Sequence, residues 1–163
     1  MDQRLKEVAR GIELVVFDFD GVFTDNRVLV LEDGREAVSC NRSDGLGIEI
    51  ARAAGLKMLV LSKEANPVVG ARCRKLKLEC IQGCDDKAAR LTQLVRERGL
   101  EWRQVAYLGN DINDSPCLDL VGLPACVADA YPAVKQQCLL TTDKRGGEGA
   151  VREFCDFLME NKR

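Results

Sequence analysis

The chain has 163 residues, of which 46% are hydrophobic and 31% charged, and it carries a formal net charge of −2 and no histidine. This length fits one domain with a full hydrophobic core, so we expect a single domain over residues 1–163. Nearly balanced, interleaved charges argue against a nucleic-acid partner, and the lack of histidine excludes Ser-His-Asp and Cys-His catalytic triads.

No apolar run approaches the ~20 residues that a membrane span needs, and the first residues lack the apolar stretch of a signal peptide. We therefore expect a cytoplasmic protein with no membrane partner. The eight cysteines are scattered along the chain, and only Cys80 and Cys84 lie close together. We expect reduced thiols, since cytosolic proteins seldom contain disulfides.

The first predicted strand ends in an acidic loop. Residues 14–17 are apolar and lead directly to Asp18 and Asp20, which Gly21 follows. Such a continuous apolar run is typical of a buried parallel strand, and ligands in open α/β sheets bind beyond the carboxyl ends of such strands. Two carboxylates this close need a neutralising cation or a shared proton, and oxygen ligands suit magnesium or calcium.

A hairpin insertion is predicted at about residues 26–40, because Asp33-Gly34 lies between two apolar runs. An isolated two-stranded hairpin is marginally stable in water, so we expect the hairpins of several subunits to pack together. After the hairpin, Ser43-Asp44 is expected to cap a helix over residues 45–54.

A second buried strand is predicted at residues 56–61, and Ser62 follows it. A hydroxyl at a strand end can hydrogen-bond a phosphate oxygen, although a serine in this place is more often part of a turn. Asn66-Pro67 then starts a helix that carries several basic residues. Most of these basic side chains are interpreted as a solvated face.

A short strand at residues 79–81 precedes a helix that runs to Arg98 and is capped by Asp85 or Asp86. Lys87 lies in the first turn of this helix. A lysine is unfavourable beside a helix N-terminus, which prefers anions, so its position fits a group that holds a phosphate together with the helix end.

The remaining elements complete an alternating pattern of strands and helices, which predicts an α/β fold with a mostly parallel sheet flanked by helices. A buried strand at residues 104–108 opens into an acidic loop that begins at Gly109. Short strands follow at 123–127 and 138–141, with a helical segment at 132–137 between them and a closing helix over 150–160.

Four motifs at these strand and helix ends resemble those of the haloacid dehalogenase-like (HAD) phosphotransferases, which implies a Rossmann-like HAD fold with a small hairpin cap. The resemblance implies that Asp18 is the nucleophile and Asp20 the general acid and base, and that Ser62 and Lys87 bind the phosphate. The motifs are Asp18-Phe19-Asp20-Gly21-Val22, Ser62, Lys87 and Gly109-Asn110-Asp111-Ile112-Asn113-Asp114.

The fourth motif departs from the family pattern, because Asn110 stands where an aspartate is usual. An amide oxygen can ligate magnesium but brings no charge, so Asp111 is expected to take over part of the role. The resemblance implies a Mg²⁺ cofactor, with Ca²⁺ as a non-productive substitute, held by Asp18, Asp20, Asn110 and Asp111. Asp114 is expected behind the metal, steadying its waters or the lysine.

The hairpin cap and three further segments are similar to one subgroup of the family, the 3-deoxy-D-manno-octulosonate 8-phosphate phosphatases. Phosphatases of nine-carbon sialic-type acids and the C-terminal domain of some acylneuraminate cytidylyltransferases look similar too. The resemblance implies a small-molecule sugar acid phosphate as substrate and a homotetramer in which a neighbour helps to close each site. The segments are Ser43-Asp44-Gly45-x-Gly47-Ile48, Val105-Ala106-Tyr107-Leu108-Gly109 and Gly146-Gly147-x-Gly149-Ala150-Val151-Arg152-Glu153.

The residue type shortly after the second motif differs between two branches of this subgroup, and here it is Glu64. The octulosonate branch usually has arginine shortly after the second motif, whereas the nine-carbon branch usually has glutamate. A nine-carbon 9-phosphate is therefore favoured over octulosonate 8-phosphate, with Glu64 accepting hydrogen bonds from sugar hydroxyls. Arg72 and Lys75, one turn apart on the following helix, are predicted to pair with the substrate carboxylate.

Two other functions compete with the phosphatase. An inactive or weakly active oligomerisation module that serves a cytidylyltransferase is suggested by Asn110, whereas Asp18, Asp20, Ser62 and Lys87 argue against it. A signalling receiver domain also combines acidic residues with a lysine. Receivers place the acceptor aspartate on a later strand than the acidic pair, but here Asp18 and Asp20 share one loop.

Overall fold

The structure, a computed structural model, describes residues 3–162, which form a six-stranded sheet flanked by helices and a separate two-stranded hairpin. The strands are β1 (Leu14–Phe17), β2 (Leu29–Val30), β3 (Glu36–Ala37), β4 (Lys57–Leu61), β5 (Glu79–Ile81), β6 (Val105–Gly109), β7 (Leu123–Cys126) and β8 (Leu140–Thr141). The helices are α1 (Gln3–Arg10), α2 (Arg42–Ala53), α3 (Pro67–Leu76), α4 (Lys87–Glu97), α5 (Ser115–Leu118), α6 (Pro132–Gln137) and α7 (Ala150–Asn161), with 3₁₀ turns at Trp102–Gln104 and Ile112–Asp114. The predicted α/β class is confirmed; the predicted domain limits, residues 1 and 163, lie outside the described residues.

The large sheet is parallel, with the strand order β5-β4-β1-β6-β7-β8. Val16 at its centre pairs with Leu59 on one side and Tyr107 on the other. With the hairpin set aside, this is the doubly wound order 3-2-1-4-5-6, whereas flavodoxin-like domains, the class of signalling receivers, have the order 2-1-3-4-5. The topology therefore argues against a receiver, and it places the switch point between β1 and β6.

The loop after β1 is fixed by an aromatic cluster beneath it. The ring of Phe23 packs edge-on against Phe17 at 5.5 Å and stacks on Phe19 at 5.7 Å between ring centroids. The Phe23 backbone N–H donates to the Phe19 carbonyl at 2.9 Å, which closes a helical turn. All three rings are fully buried, so the apolar side chains of this segment hold its acidic residues at the sheet edge.

The predicted hairpin is present. Its strands have two residues each and are shorter than the apolar runs on either side of Asp33-Gly34. Strands β2 and β3 pair antiparallel, and Gly34 in the turn adopts a positive φ of 83°. The Asp33 carboxylate accepts a hydrogen bond from the Arg35 backbone N–H at 3.1 Å. The backbone of Thr24 bridges to Cys40 and joins the two ends of the insertion.

Helix α2 begins three residues earlier than predicted, and the prediction that Ser43-Asp44 caps it is wrong. The cap is Asn41, whose side-chain oxygen accepts hydrogen bonds from the Ser43 backbone N–H at 2.9 Å and the Ser43 hydroxyl at 2.7 Å. Asparagine with extended backbone geometry is a favoured residue at this position. Helices α3 and α4 start as predicted, with Asn66 and Asp86 as their caps.

Asp44 instead joins α2 to α7. Its fully buried carboxylate accepts a hydrogen bond from the Arg152 backbone N–H at 3.0 Å, in the first turn of α7, where Gly149 offers no side-chain cap. Burial raises the pKa of Asp44 to about 6, although the hydrogen bond from Arg152 lowers it. A Cβ atom at Gly47 would lie 2.7 Å from Arg152 Cδ, so glycine permits the close approach of the two helices.

All eight cysteines are free thiols. Among residues 3–162, no helix is long and apolar enough to cross a membrane.

Candidate active site

Asp18 lies directly beyond β1, at the carboxyl edge of the sheet and at its switch point. Its backbone N–H donates to the Leu108 carbonyl at 3.0 Å, which continues the pairing with β6. The side-chain atom Oδ1 accepts from the Phe19 backbone N–H at 2.7 Å and from Lys87 Nζ at 2.8 Å. Within the described residues Oδ2 accepts no hydrogen bond, so it is the carboxylate oxygen left for a reacting group.

Lys87 bridges two buried carboxylates. It is the first residue of α4, and its Nζ contacts Asp18 at 2.8 Å and Asp114 at 2.9 Å. Burial lowers the pKa of Lys87, but the charges and hydrogen bonds of the two aspartates outweigh burial and raise its pKa above the ordinary value. An ammonium group has three N–H donors, so one donor is left for a further acceptor.

Asp114 organises the loop after β6. It is fully buried, and its carboxylate accepts hydrogen bonds from the Tyr107 hydroxyl at 2.7 Å and the Asn110 backbone N–H at 3.0 Å. A Cβ atom at Gly109 would lie 2.5 Å from its Oδ2. Asp114 contacts Lys87 at 2.9 Å, while its expected place behind a metal stays a prediction.

Sequence reasoning missed Tyr107 as part of this network. It is a polar-tipped aromatic residue in an otherwise apolar buried strand. Because a buried tyrosine hydroxyl usually has a hydrogen-bond partner, the sequence could have predicted that Tyr107 bonds to a polar group near this strand. Burial raises the pKa of Tyr107 well above the ordinary value, and the Asp114 charge adds to the effect, so its hydroxyl acts as a hydrogen-bond donor.

The two acidic residues of the first motif have different environments. Burial, followed by the charge of Asp114, raises the pKa of Asp18 to about 7, against the opposing effect of Lys87. Asp20 is half-buried, and burial again raises its pKa, with Glu64 adding to the rise and Lys87 opposing it. A raised pKa favours the protonated form of Asp20, which fits a role as proton donor.

The site residues meet around a small pocket at this sheet edge, with a volume of about 90 Å³. Six of the predicted residues line it, and three further polar side chains that the sequence had not suggested, Asn26, Lys63 and Asn113, line it as well. The six are Asp18, Asp20, Ser62, Glu64, Asn110 and Asp111. Ser62 is buried, and its hydroxyl accepts a hydrogen bond from the Glu64 backbone N–H at 3.1 Å.

Arg72 and Lys75 are not brought to this pocket. They line a separate cavity of about 510 Å³ between α2 and α3. Arg72 donates to the Asn41 carbonyl at 2.8 Å, which directs its guanidinium toward the start of α2. Their pairing with a substrate carboxylate stays a prediction.

The oxygen atoms of the pocket fit a divalent metal. Asn110 Oδ1 is buried and has no hydrogen-bond partner within the described chain, although buried polar atoms are nearly always paired. Gly21, with a φ of 77°, makes room for this amide, because a Cβ atom there would lie 2.0 Å from Asn110 Nδ2. Asp18 and Asp20 line the same pocket. In residues 3–162 no three carboxylates or thiols are grouped to hold a metal, and the unpartnered Asn110 oxygen is a further candidate ligand beside Asp18 and Asp20.

The site has the parts of a phosphoryl-transfer centre: a buried aspartate at the switch point, a second carboxylate beside it and a lysine that contacts the first. Residues 64–154 match the family described as haloacid dehalogenase-like hydrolase. The fold, the site and this match define the class, and the chain is a phosphoric monoester hydrolase of that type.

Individual relatives identify the family more closely. The 3-deoxy-D-manno-octulosonate 8-phosphate phosphatase KdsC of Salmonella typhi is 33% identical over 152 residues, which cover 93% of this chain and 81% of the relative. A HAD family hydrolase from Streptomyces avermitilis is 50% identical, with a TM-score of 0.89 and coverage of 91% and 86%. The Moraxella catarrhalis octulosonate 8-phosphate phosphatase, solved with a magnesium ion, a phosphate ion and a KDO molecule, is 27% identical, with a TM-score of 0.96 and coverage of 99% and 94%. The chain belongs to the 3-deoxy-D-manno-octulosonate 8-phosphate phosphatase family.

Proposed function

We propose that this chain hydrolyses the phosphate ester of a 2-keto-3-deoxy sugar acid through an aspartyl-phosphate on Asp18. The observation that carries the proposal is the contact of Lys87 Nζ with both Asp18 and Asp114, beside the unpartnered oxygen of Asn110. This arrangement presents one free carboxylate oxygen and a cation at the same end of the pocket. Such a pair is what nucleophilic attack on a phosphate dianion needs.

In the first step Asp18 Oδ2 forms a bond to phosphorus while the bond from phosphorus to the sugar oxygen breaks. Asp20 gives its proton to that leaving oxygen, in line with its raised pKa. The third N–H of Lys87 and the Ser62 hydroxyl hold the phosphoryl oxygens. Asp18, the Asp20 backbone carbonyl and Asn110, together with Asp111, would hold a divalent metal, which would offset further phosphate charge.

In the second step a water molecule attacks the phosphorus of the aspartyl-phosphate and gives a proton to Asp20. The bond between phosphorus and Asp18 breaks, and inorganic phosphate leaves. Asp20 is then protonated again, ready for the next turnover. Asp114 does not touch the substrate; it holds the Lys87 ammonium and the backbone of the Asn110 loop in position.

For the substrate we propose a nine-carbon 9-phosphate in preference to octulosonate 8-phosphate. The reason is Glu64, whose carboxylate at the rim of the pocket accepts hydrogen bonds from sugar hydroxyls. Octulosonate 8-phosphate is the competing substrate, since the curated relatives are named for it. Mg²⁺ is the proposed metal, and Ca²⁺ a non-productive substitute, because Ca²⁺ accepts looser and more variable coordination.

The experiment that tests this function is phosphate release, with Mg²⁺, from octulosonate 8-phosphate and from a panel of nine-carbon 9-phosphates. The Asp18→Asn variant serves as the blank. We expect release above the blank and a kcat/KM about 10-fold or more in favour of a nine-carbon substrate, the range that one or two polar contacts give. A preference for octulosonate 8-phosphate would refute the role of Glu64.

Asn110 supports a second candidate function, a catalytically weak or inactive module associated with a cytidylyltransferase. Its amide brings no charge to the metal, so Asn110→Asp is expected to lower the Mg²⁺ concentration for half-maximal activity by about 3- to 10-fold. The measurement is phosphate release against Mg²⁺ concentration.

The matched control is Asn113→Asp, which adds the same charge to the same pocket wall. An equal effect of both variants would mean that charge alone, not ligation by residue 110, sets the metal affinity. If the wild type released no phosphate at saturating Mg²⁺ while Asn110→Asp did, the result would favour the inactive module.

We propose that the chain forms a homotetramer through its hairpins. Four consecutive apolar residues there are exposed: Val28 by 50%, Leu29 by 63%, Val30 by 62% and Leu31 by 39%. Contiguous exposed apolar residues mark interaction surfaces. The pocket of about 90 Å³ is also well below the roughly 300–1,000 Å³ of complete small-molecule sites, so a neighbouring subunit is needed to enclose the sugar.

Leu29→Asp is expected to convert the tetramer into smaller species, because it puts a charge into the apolar contact between hairpins. The measurement is molar mass by light scattering after size exclusion. Glu32→Gln, an uncharged substitution in the same exposed turn, should keep the wild-type mass. A Leu29→Asp chain with unchanged mass would show that the hairpins do not form the interface.

A further inference from the structure

Besides the packing of Val38 against the core, one side-chain hydrogen bond attaches the hairpin to the body of the protein. Asn66 Nδ2 donates a hydrogen bond to Glu36 Oε2 at 3.0 Å, with Glu36 on β3 and Asn66 immediately before α3. Within the described chain this is the only hydrogen bond between residues 28–39 and the rest of the protein. We call the pair Glu36 and Asn66 the hairpin clasp.

Three of the hydrogen bonds of Asn66 link the hairpin, α3 and the pocket rim. Its Nδ2 holds the hairpin, its Oδ1 caps α3 by accepting from the Val68 backbone N–H at 3.1 Å, and its own backbone N–H donates to Glu64 Oε1 at 2.7 Å. The last contact leaves Glu64 Oε2 for a ligand. The clasp therefore connects the hairpin to the carboxylate at the rim of the pocket.

The loop that carries Ser62 and Glu64 is fixed on its other side by the chain after β5. The backbone N–H groups of Gly83 and Cys84 donate to the carbonyls of Glu64 and Ser62, each at 3.0 Å. Gln82 Nε2 donates to the Ala65 carbonyl at 2.9 Å. This loop is thus a rigid base, and a two-stranded hairpin, which is marginally stable alone, gains a fixed position by bonding to it.

We propose that Glu36 is a positioning residue for substrate recognition: through Asn66 it holds the hairpin beside the Ser62–Asn66 loop and so shapes the site for the sugar part of the substrate. This inference rests on the proposed function. Glu36 does not touch the reacting phosphate, and its charge is the last of the causes that raise the pKa of Asp20, so we expect its main effect on the binding of the sugar. The pocket around Asp18 is too small to enclose a sugar acid, so the hairpin and loop contribute to recognition of the sugar together with the neighbouring subunit.

Three variants separate the hydrogen bond from the charge. Glu36→Ala removes the acceptor. Glu36→Gln removes the charge but keeps an amide oxygen that can accept from Asn66. Asn66→Asp keeps a side-chain oxygen to cap α3, since aspartate is an equally good cap, but it loses the donor to Glu36 and sets a second carboxylate against it.

The readout is steady-state hydrolysis of the sugar acid phosphate and of p-nitrophenyl phosphate, whose small leaving group does not reach the hairpin. We expect Glu36→Ala and Asn66→Asp to raise KM for the sugar acid phosphate about 10-fold, as loss of a charged hydrogen bond does, with kcat within about twofold. Both should leave kcat/KM for p-nitrophenyl phosphate unchanged, and Glu36→Gln should resemble the wild type.

Equal losses with both substrates would overturn the proposal, as would a Glu36→Gln variant that behaves like Glu36→Ala. If the wild type cleaves p-nitrophenyl phosphate but no sugar acid phosphate, the proposed substrate fails, and amide hydrogen exchange then tests the clasp independently. Glu36→Ala should speed exchange at residues 28–39, and unchanged exchange there would overturn the clasp itself.

Discussion

Replacing Asp18 by asparagine is expected to lower the rate of phosphate release by about 10⁴-fold or more, because an amide cannot form the bond to phosphorus. The fold should persist. An asparagine side chain has the same shape, and its oxygen can still accept from the Phe19 N–H and from Lys87, the two contacts of Asp18 Oδ1. The measurements are single-turnover phosphate release and thermal unfolding by circular dichroism.

The control for this variant is Asp119→Asn, which makes the same chemical change on an exposed residue outside the pocket. It should retain wild-type activity. If Asp18→Asn were correctly folded and kept activity within tenfold of the wild type, Asp18 would not be the nucleophile, and Asp20 would become the candidate.

Replacing Lys87 by methionine is expected to damage both stability and activity. Lys87 is 4% exposed and lies between Asp18 and Asp114, so its removal leaves two buried carboxylates without a counter-charge. Breaking a buried ion pair from one side lowers the free energy of unfolding by about 3–5 kcal/mol. Activity should fall by about 10²-fold or more, because a donor to the phosphoryl oxygens is lost. Chemical denaturation and phosphate release measure the two effects.

The pH dependence of Lys87→Met follows from Asp18. Burial and Asp114 already raise the pKa of Asp18 to about 7 while Lys87 lowers it, so removing Lys87 raises that pKa further. A carboxyl group with a raised pKa in the folded state binds more protons there than in the unfolded state. Its stability contribution is therefore present below its unfolded pKa of about 4 and is lost as the pH rises. We expect the free energy of unfolding of Lys87→Met to fall more steeply between pH 5 and about 8 than that of the wild type.

The double variant Lys87→Met with Asp114→Asn separates the two effects of Lys87. Removing the second carboxylate should recover much of the lost stability, since only Asp18 is then unpaired. It should not restore activity, because the phosphate still lacks its lysine. A single Lys87→Met variant as stable as the wild type at pH 8 would contradict the view that Lys87 neutralises this cluster.

Most of the residues that line the candidate active-site pocket could be predicted from the sequence, because they follow apolar runs. Asp18, Ser62 and Asn110 each come directly after a buried strand. Parallel strands end at the same edge of a sheet, so these side chains must lie near each other once the strands are adjacent. The sequence therefore predicted the group without any knowledge of distances.

The helix boundaries show the limit of such reasoning. Asn41, Ser43 and Asp44 are all good capping residues, and the sequence cannot decide which of them caps α2. In the structure Asn41 caps α2. Asp44 instead accepts a hydrogen bond from the backbone N–H of Arg152, 108 positions away, at the start of α7. A choice between equivalent caps depends on what packs against the helix.

What the sequence by itself determined is the order of strands and helices, the acidic pair at the end of β1 and the family resemblance, since all of these depend on short-range patterns. Only the tertiary structure decided the partners: Lys87 with Asp114, Tyr107 with the same carboxylate, and Glu36 with Asn66. It also placed Arg72 against Asn41, outside the pocket. The physical reason is that a hydrogen bond is made between groups about 3 Å apart in space, and this distance is set by packing and not by spacing along the chain.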